Sequence, residues 1–318
     1  MDLNKKMPKI AMGAWSWGSG ASGADQVFGN HFTESDLKPV FDAAMEAGLN
    51  LWDTATVYGM GASEDLLGGF LKEKDQEGTI ISTKFTPQIA SMYSDSMEKM
   101  LDASMKRLYA EYIDIYWIHN PADVERWTPE LIPLAKSGKI KAIGVSNHNL
   151  KELKRANEIL AKEGLKVSAV QNHFSLLNRT SETGGILDYC KENDITFFSY
   201  MVLEQGALSG KYDVAHPFPE GSDRARSYNQ SLPQLESLIA LLNETGKAHG
   251  GASAAQVATA WAIFKGTLPI IGVTKVKHVE DAAKAAELIL TADEVRKLEE
   301  AAAQVGVSTI REWEKAMD

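Results

Sequence analysis

The chain has 318 residues, enough for two ordinary domains or one large barrel; with 44% hydrophobic and 24% charged residues it must bury a sizeable core, which excludes a disordered or collagen-like polymer. Forty-three acids against 33 bases give a formal charge of −10, and the resulting field repels phosphate backbones and anionic lipid heads, which speaks against a nucleic-acid or membrane partner. No apolar run approaches the length of a membrane span, the start MDLNKKMPKIAMG lacks the apolar core of a signal peptide, and Cys190 is the one cysteine; these features predict a cytoplasmic protein without disulfides or a multi-cysteine metal site.

Short β-rich runs alternate with amphipathic stretches along the chain. The first strand is predicted at 9–12. A helix at 34–46 follows, opened by Thr33 as N-cap and stopped before Gly48. Strands at 49–52 and 79–82 precede a helix at 94–109, and a strand at 113–118 precedes a helix at 129–136. Strand 142–145 pairs with helix 150–162, strand 168–171 with helix 185–192, and strand 196–200 leads into a long stretch without period. Helix 252–264, strand 269–272 and helices 279–288 and 293–305 complete the pattern. Eight strands, each followed by a helix, predict an α/β fold of the (β/α)8 barrel type, with residues 1–318 forming a single domain. The alternative, an open doubly wound sheet, calls for a GxGxxG turn after its first strand, and the glycines at 13 and 18–23 do not form one. The stretch 213–233, with three prolines and two arginines, reads as a mobile lid after strand seven, on which Arg224 and Arg226 either meet anionic ligand groups or simply face water.

In such a barrel the reactive groups sit where strands end. Those ends carry Asp53 with Tyr58 five residues on, Lys84, His119, Ser146 and Asn147, Gln171 and Asn172, and Tyr200. Singly, each can be a cap, a packing aromatic or a satisfied core polar group. Together, an aspartate, a tyrosine, a lysine and a histidine at one mouth can donate a proton. A Lys84 ammonium held by Asp53 is expected to lower the pKa of Tyr58, and His119 can orient a carbonyl oxygen and stabilise the developing alkoxide. That chemistry is carbonyl reduction, for which a cofactor must supply the hydride.

The segment Gly48-Leu-Asn-Leu-Trp-Asp53-Thr-Ala-Thr-Val-Tyr58-Gly59 with Glu64, the pair Thr83-Lys84, the segment Ile118-His119-Asn120-Pro121 and the segment Gly144-Val145-Ser146-Asn147 resemble the motifs of the aldo-keto reductase superfamily, in order and over essentially the whole chain. The resemblance implies Tyr58 as proton donor, Lys84 and Asp53 as its electrostatic partners and His119 as the residue that positions the carbonyl. It implies NADPH as cofactor, with NADH also allowed. Ser146, Asn147 and Gln171 would hold the nicotinamide carboxamide and Tyr200 would stack on its ring, next to Met201 and Leu203, where Met201-Val202 replaces the family's usual Ser-Pro. Asp53 and the first-strand segment Gly13, Ala14 and Trp15 would also touch the cofactor. The segment Gly272, Val273, Thr274 and Lys275, with His278 and Asp281, would hold the adenosine phosphates. Here Lys275 is the candidate for the 2′-phosphate, and His278 stands in place of a frequent arginine.

For the substrate, Tyr58, His119 and Asn120 join an apolar pocket assigned to Trp17 and Phe85. Trp117 is expected to point into the barrel and Trp52 out toward the helices. The partner is thus a small carbonyl or alcohol, and the oligomeric state is left open. Three other functions compete with this one. A metal-dependent hydrolase lacks support, because the seven histidines are scattered and no metal site is expected. A Schiff-base lyase would use Lys84 as nucleophile but leaves Asp53 and Tyr58 without a role. A nucleotide-binding sensor or regulatory subunit on the same fold is the remaining alternative.

Overall fold

The run IDIYWI at 113–118 is apolar on both faces, as suits a strand with side chains packed inside it and helices outside. It is one of eight parallel strands in the computed structural model, which describes residues 5–72, 76–311, 314–315 and 317. The strands are β1 Ala11–Gly13, β2 Leu51–Asp53, β3 Ile80–Phe85, β4 Ile113–Ile118, β5 Ile140–Ser146, β6 Ala169–His173, β7 Thr196–Tyr200 and β8 Leu268–Gly272. They close into a barrel in chain order, with β1 hydrogen-bonded to both β2 and β8. The expected (β/α)8 architecture is therefore the observed one. Residues 1–4, part of the N-terminal stretch read above, lie outside the described residues. Among the described residues, no helix is long and apolar enough to cross a membrane.

Two strands, β4 and β7, have the expected bounds. β3 runs three residues past its expected end, so Lys84 lies inside the strand. Register sets the polar layer at the mouth: Gly13 pairs with Asp53, Asp53 with Ser82, and Ser146 with Gln171. Below it, Leu51, Ile80, Ile115, Trp117 and Phe198 fill the barrel, with Trp117 edge-on to Phe198 at 5.2 Å. β5 passes so close to the indole that a Cβ on Gly144 would overlap the Trp117 ring, which explains the glycine. Trp52 faces outward, stacked 5.1 Å from Phe41 of the helix Glu34–Glu46. Both tryptophans thus point as expected.

The stretch 213–233 is not a structureless lid. A helix, Asp223–Tyr228, capped by Ser222, forms inside it, and Pro233 belongs to the first turn of the 17-residue helix Leu232–Ala248. Proline is tolerated there because the missing N–H has no intrahelical acceptor anyway. Arg224 donates to the carbonyls of Phe28 and Gln205, pinning this segment to the loop after β1, whereas Arg226 is exposed beside Asp223.

Candidate active site

β2 and β3 bring three groups together at the mouth. The Lys84 ammonium donates to Asp53 Oδ2 at 2.5 Å, to the Thr54 carbonyl at 2.8 Å and to Tyr58 Oη at 3.4 Å, which commits its three protons. Asp53 Oδ1 accepts from Ser82 Oγ at 2.7 Å and Gln171 Nε2 at 3.1 Å, and Ser82 in turn accepts from Trp117 Nε1 at 2.6 Å. A polar chain therefore runs from the barrel core to the tyrosine.

Tyr58 is presented by a tight turn in which Gly59, Met60 and Gly61 all have positive φ. The following helix, Ala62–Leu71, is tied down by buried Glu64, which accepts from Thr83 Oγ1 at 2.5 Å and Arg107 Nε at 2.7 Å. That anchoring holds the turn in a conformation that side-chain-bearing residues rarely adopt.

Burial depresses the charged form of lysine, but Asp53 and Tyr58 more than offset it, and Lys84 stands above the ordinary lysine range. With its protons already bound to Asp53, Thr54 and Tyr58, this cation is poorly placed to act as a Schiff-base nucleophile, which weighs against the lyase reading. The expected lowering of Tyr58 is corrected. Burial raises it more than Lys84 lowers it, so the phenol stays protonated above its ordinary range. His119 faces Tyr58 edge-on at 5.9 Å, and burial, then Lys84, push it down to about 3. It is a neutral imidazole with Nδ1 2.9 Å from Thr86 Oγ1.

A cleft of about 1300 Å³ opens over these groups. Of the residues assigned to it from sequence, it is lined by Gly13, Trp15, Asp53, Tyr58, His119, Asn120, Ser146, Asn147, Gln171, Tyr200, Met201 and Leu203 near the barrel axis. Gly272, Thr274, Lys275, His278 and Asp281 line its far end. Four assignments are corrected. Trp17 is fully buried in the outer core, where its indole donates to the Val273 carbonyl and packs on Trp52 and Phe70. Phe85 is buried against Trp127, and Ala14 and Val273 are core residues that do not reach the cleft. The apolar wall consists instead of Trp15, stacked on Tyr58 at 5.6 Å and edge-on to Phe28, together with Phe32 and Val57. At the rim, the Asn120 and Gln88 amides exchange two hydrogen bonds of 2.8 Å.

The donor set suits a carboxamide. Asn147, in a left-handed conformation at φ 61°, donates through Nδ2 to the His119 carbonyl and Ser146 Oγ, and Gln171 Nε2 is taken by Asp53. Gln171 Oε1 is left as an acceptor, and Asn147 Oδ1, which faces the Tyr200 hydroxyl at 2.5 Å, becomes a second when that hydroxyl bonds elsewhere; together they complement an amide NH2. At the far end, Lys275 is the N-cap of the helix Val276–Glu287 and makes no ion pair among the described residues, whereas Lys277 is bound to Asp281. Lys211 enters the same cleft from the loop after β7. Sequence reading missed it because nothing local distinguishes one loop lysine from another.

Known proteins resemble this chain in sequence and in fold. The profile of the Aldo/keto reductase family matches residues 9–303. The chain belongs to that family. It is 34% identical over 320 residues to pyridoxal reductase, chloroplastic, of Arabidopsis thaliana, an alignment that covers 95% of this chain and 85% of the relative. It is 29% identical to the Schizosaccharomyces pombe aldo-keto reductase yakc, whose name specifies NADP(+), over 89% of this chain and 87% of that one. The fold superposes on a thermostable aldo-keto reductase in complex with epalrestat at TM-score 0.76 and 24% identity, covering 94% and 97% of the two chains. On a Klebsiella pneumoniae aldo/keto reductase in complex with NADP and acetate it does so at TM-score 0.73 and 22% identity, covering 98% and 95%.

Proposed function

We propose that this aldo/keto reductase family protein reduces an aldehyde or ketone to an alcohol, and catalyses the reverse oxidation, with NADPH as the preferred cofactor. The observation that carries the reading is the buried Lys84 ammonium held between Asp53 and Tyr58, beneath a cleft that Asp53, Tyr58 and a neutral His119 line. A reduced nicotinamide held in that cleft would supply the hydride that the carbonyl carbon needs. Tyr58 gives its phenolic proton to the carbonyl oxygen, so each turnover consumes one hydride and one proton. The Lys84 ammonium balances the charge left on the phenolate, and Asp53 keeps that ammonium in place. The tautomer of neutral His119 that accepts from Thr86 Oγ1 at Nδ1 carries its proton on Nε2, where it would hydrogen-bond the carbonyl oxygen.

Ser146, Asn147 and Gln171 would hold the carboxamide, with Tyr200, Met201 and Leu203 beside the ring. Gly272, Thr274, Lys275 and His278 would take the phosphates, with Lys275 and Lys211 as the cations for a 2′-phosphate. The aromatic wall of Trp15 and Phe28 and the amide rim of Asn120 and Gln88 suit a flat aldehyde with polar substituents. Because a relative is named pyridoxal reductase, pyridoxal is the first substrate to try.

The test is a fluorescence titration with NADPH and with NADH, followed by the nicotinamide absorbance on adding pyridoxal and a panel of aldehydes and ketones. Tighter NADPH binding with turnover is expected. Binding without turnover on any carbonyl would favour the sensor reading, and no binding would remove the cofactor assignment.

A further inference from the structure

A second polar network, outside the catalytic groups, converges on Tyr200. His173, at the end of β6, places Nε2 2.8 Å from Glu204 Oε1 and Nδ1 2.9 Å from Glu314 Oε2. Glu204 also accepts from Ser175 Oγ and, at 2.7 Å, from Tyr228 Oη. The His173 and Glu314 side chains are each only 2% exposed. Burial alone would discharge the imidazole, but Glu204 and Glu314 outweigh it and hold His173 up at about 9, so both ring nitrogens donate at neutral pH. Glu314 is fixed within its own segment too, because Oε2 accepts from the Arg311 amide at 3.0 Å and its N–H donates to the Arg311 carbonyl at 2.9 Å. A buried carboxylate this tightly held must be compensated by what it binds.

Its remaining contact is Tyr200. The Tyr200 hydroxyl lies 2.8 Å from Glu314 Oε1 and 2.5 Å from Asn147 Oδ1, two acceptors for one proton. A carboxylate is the stronger acceptor. When the proton goes to Glu314, Asn147 Oδ1 is released to the cleft. When Glu314 is missing, the hydroxyl has only Asn147 to bond.

We propose that Glu314 is a positioning residue for the nicotinamide end of the cofactor: it takes the Tyr200 hydroxyl bond and thereby frees the Asn147 amide to pair with the carboxamide. The inference rests on the cofactor placement proposed above. It assigns a role to the C-terminal segment, whose Glu314 reaches the wall of the cleft and is held there by the His173 clamp.

Two ligands separate the outcomes: NADPH, and 2′-phospho-ADP-ribose, which shares the adenosine and pyrophosphate groups but lacks nicotinamide. Glu314→Ala is expected to weaken NADPH about tenfold while leaving 2′-phospho-ADP-ribose within twofold of wild type. Glu314→Gln, which keeps an acceptor oxygen, should recover part of the loss. In a Tyr200→Phe background, where no hydroxyl competes for Asn147, Glu314→Ala should cost nothing more. An equal loss for both ligands, an unchanged NADPH affinity, or a full additional loss in the Tyr200→Phe background would each overturn the proposal. If the wild-type protein binds neither ligand, it is the underlying cofactor reading that fails, and this inference falls with it.

Discussion

Lys84 separates a catalytic account from a purely structural one. Its ammonium satisfies Asp53 and Thr54 and reaches Tyr58, so Lys84→Met should lower kcat by on the order of 10²–10⁴-fold. The uncompensated Asp53 should also cost about 3–5 kcal/mol in denaturant unfolding. A variant with the full stability loss but wild-type turnover per folded molecule would make the lysine a strut. Asp53, Lys84 and His119 were legible in the sequence because each lies at or beside the C-terminal end of a strand, where orientation follows from the barrel, whereas Tyr58, in the turn after β2, was legible through the motif around it. The tryptophans were not, because in the loop after β1 no alternation says which of Trp15 and Trp17 turns inward. Opposite effects are therefore expected. Trp15→Ala should raise the KM for an aromatic aldehyde several-fold with little change in stability. Trp17→Ala should lose about 3–5 kcal/mol of stability and leave KM unchanged in the folded fraction. Steady-state kinetics and urea unfolding on the pair check both.

At the scale of elements, the close approach of β5 to Trp117 links packing to chemistry, since the indole donates to Ser82, which donates to Asp53. Gly144→Ala overpacks this contact and should cost about 1–3 kcal/mol, with a fall in kcat as the Ser82 to Asp53 bond loosens. Unchanged unfolding and unchanged kcat would contradict the link. Strand β4 could be bounded from sequence because β-branched and aromatic residues run up to a polar stop at His119. The helix Leu232–Ala248 was hidden because its first turn holds Pro233, read as the end of a loop, although Leu235, Leu238 and Leu242 already mark a buried face. The helix Ala62–Leu71 was obscured by its paired glycines. Gly68 is there because the Arg107 carbonyl passes where a Cβ would stand.

Over the whole molecule, the contacts hardest to foresee join residues far apart in the chain, as when Glu314 meets His173 and Tyr200 across more than a hundred positions. No local pattern encodes such a meeting, and neither carboxylate beside His173 was singled out. The network has a pH signature. His173 faces Glu204 and Glu314, with Tyr200, Tyr228 and Arg311 packed around those carboxylates. Its folded value of about 9 lies above that of an unfolded histidine, so its contribution is complete below about pH 6.5 and is lost as pH rises through 9. Thermal unfolding of wild type should accordingly fall more steeply between pH 7 and 10 than that of His173→Gln, and parallel curves would refute the clamp. The central claim, that this barrel is a reductase with Tyr58 as its acid, is tested most directly by single-turnover consumption of NADPH with pyridoxal or 4-nitrobenzaldehyde, comparing wild type with Tyr58→Phe at equal cofactor saturation. The account predicts that the variant binds NADPH as wild type does but loses at least about 10²-fold in the chemical step. Equal rates in the two proteins would contradict it.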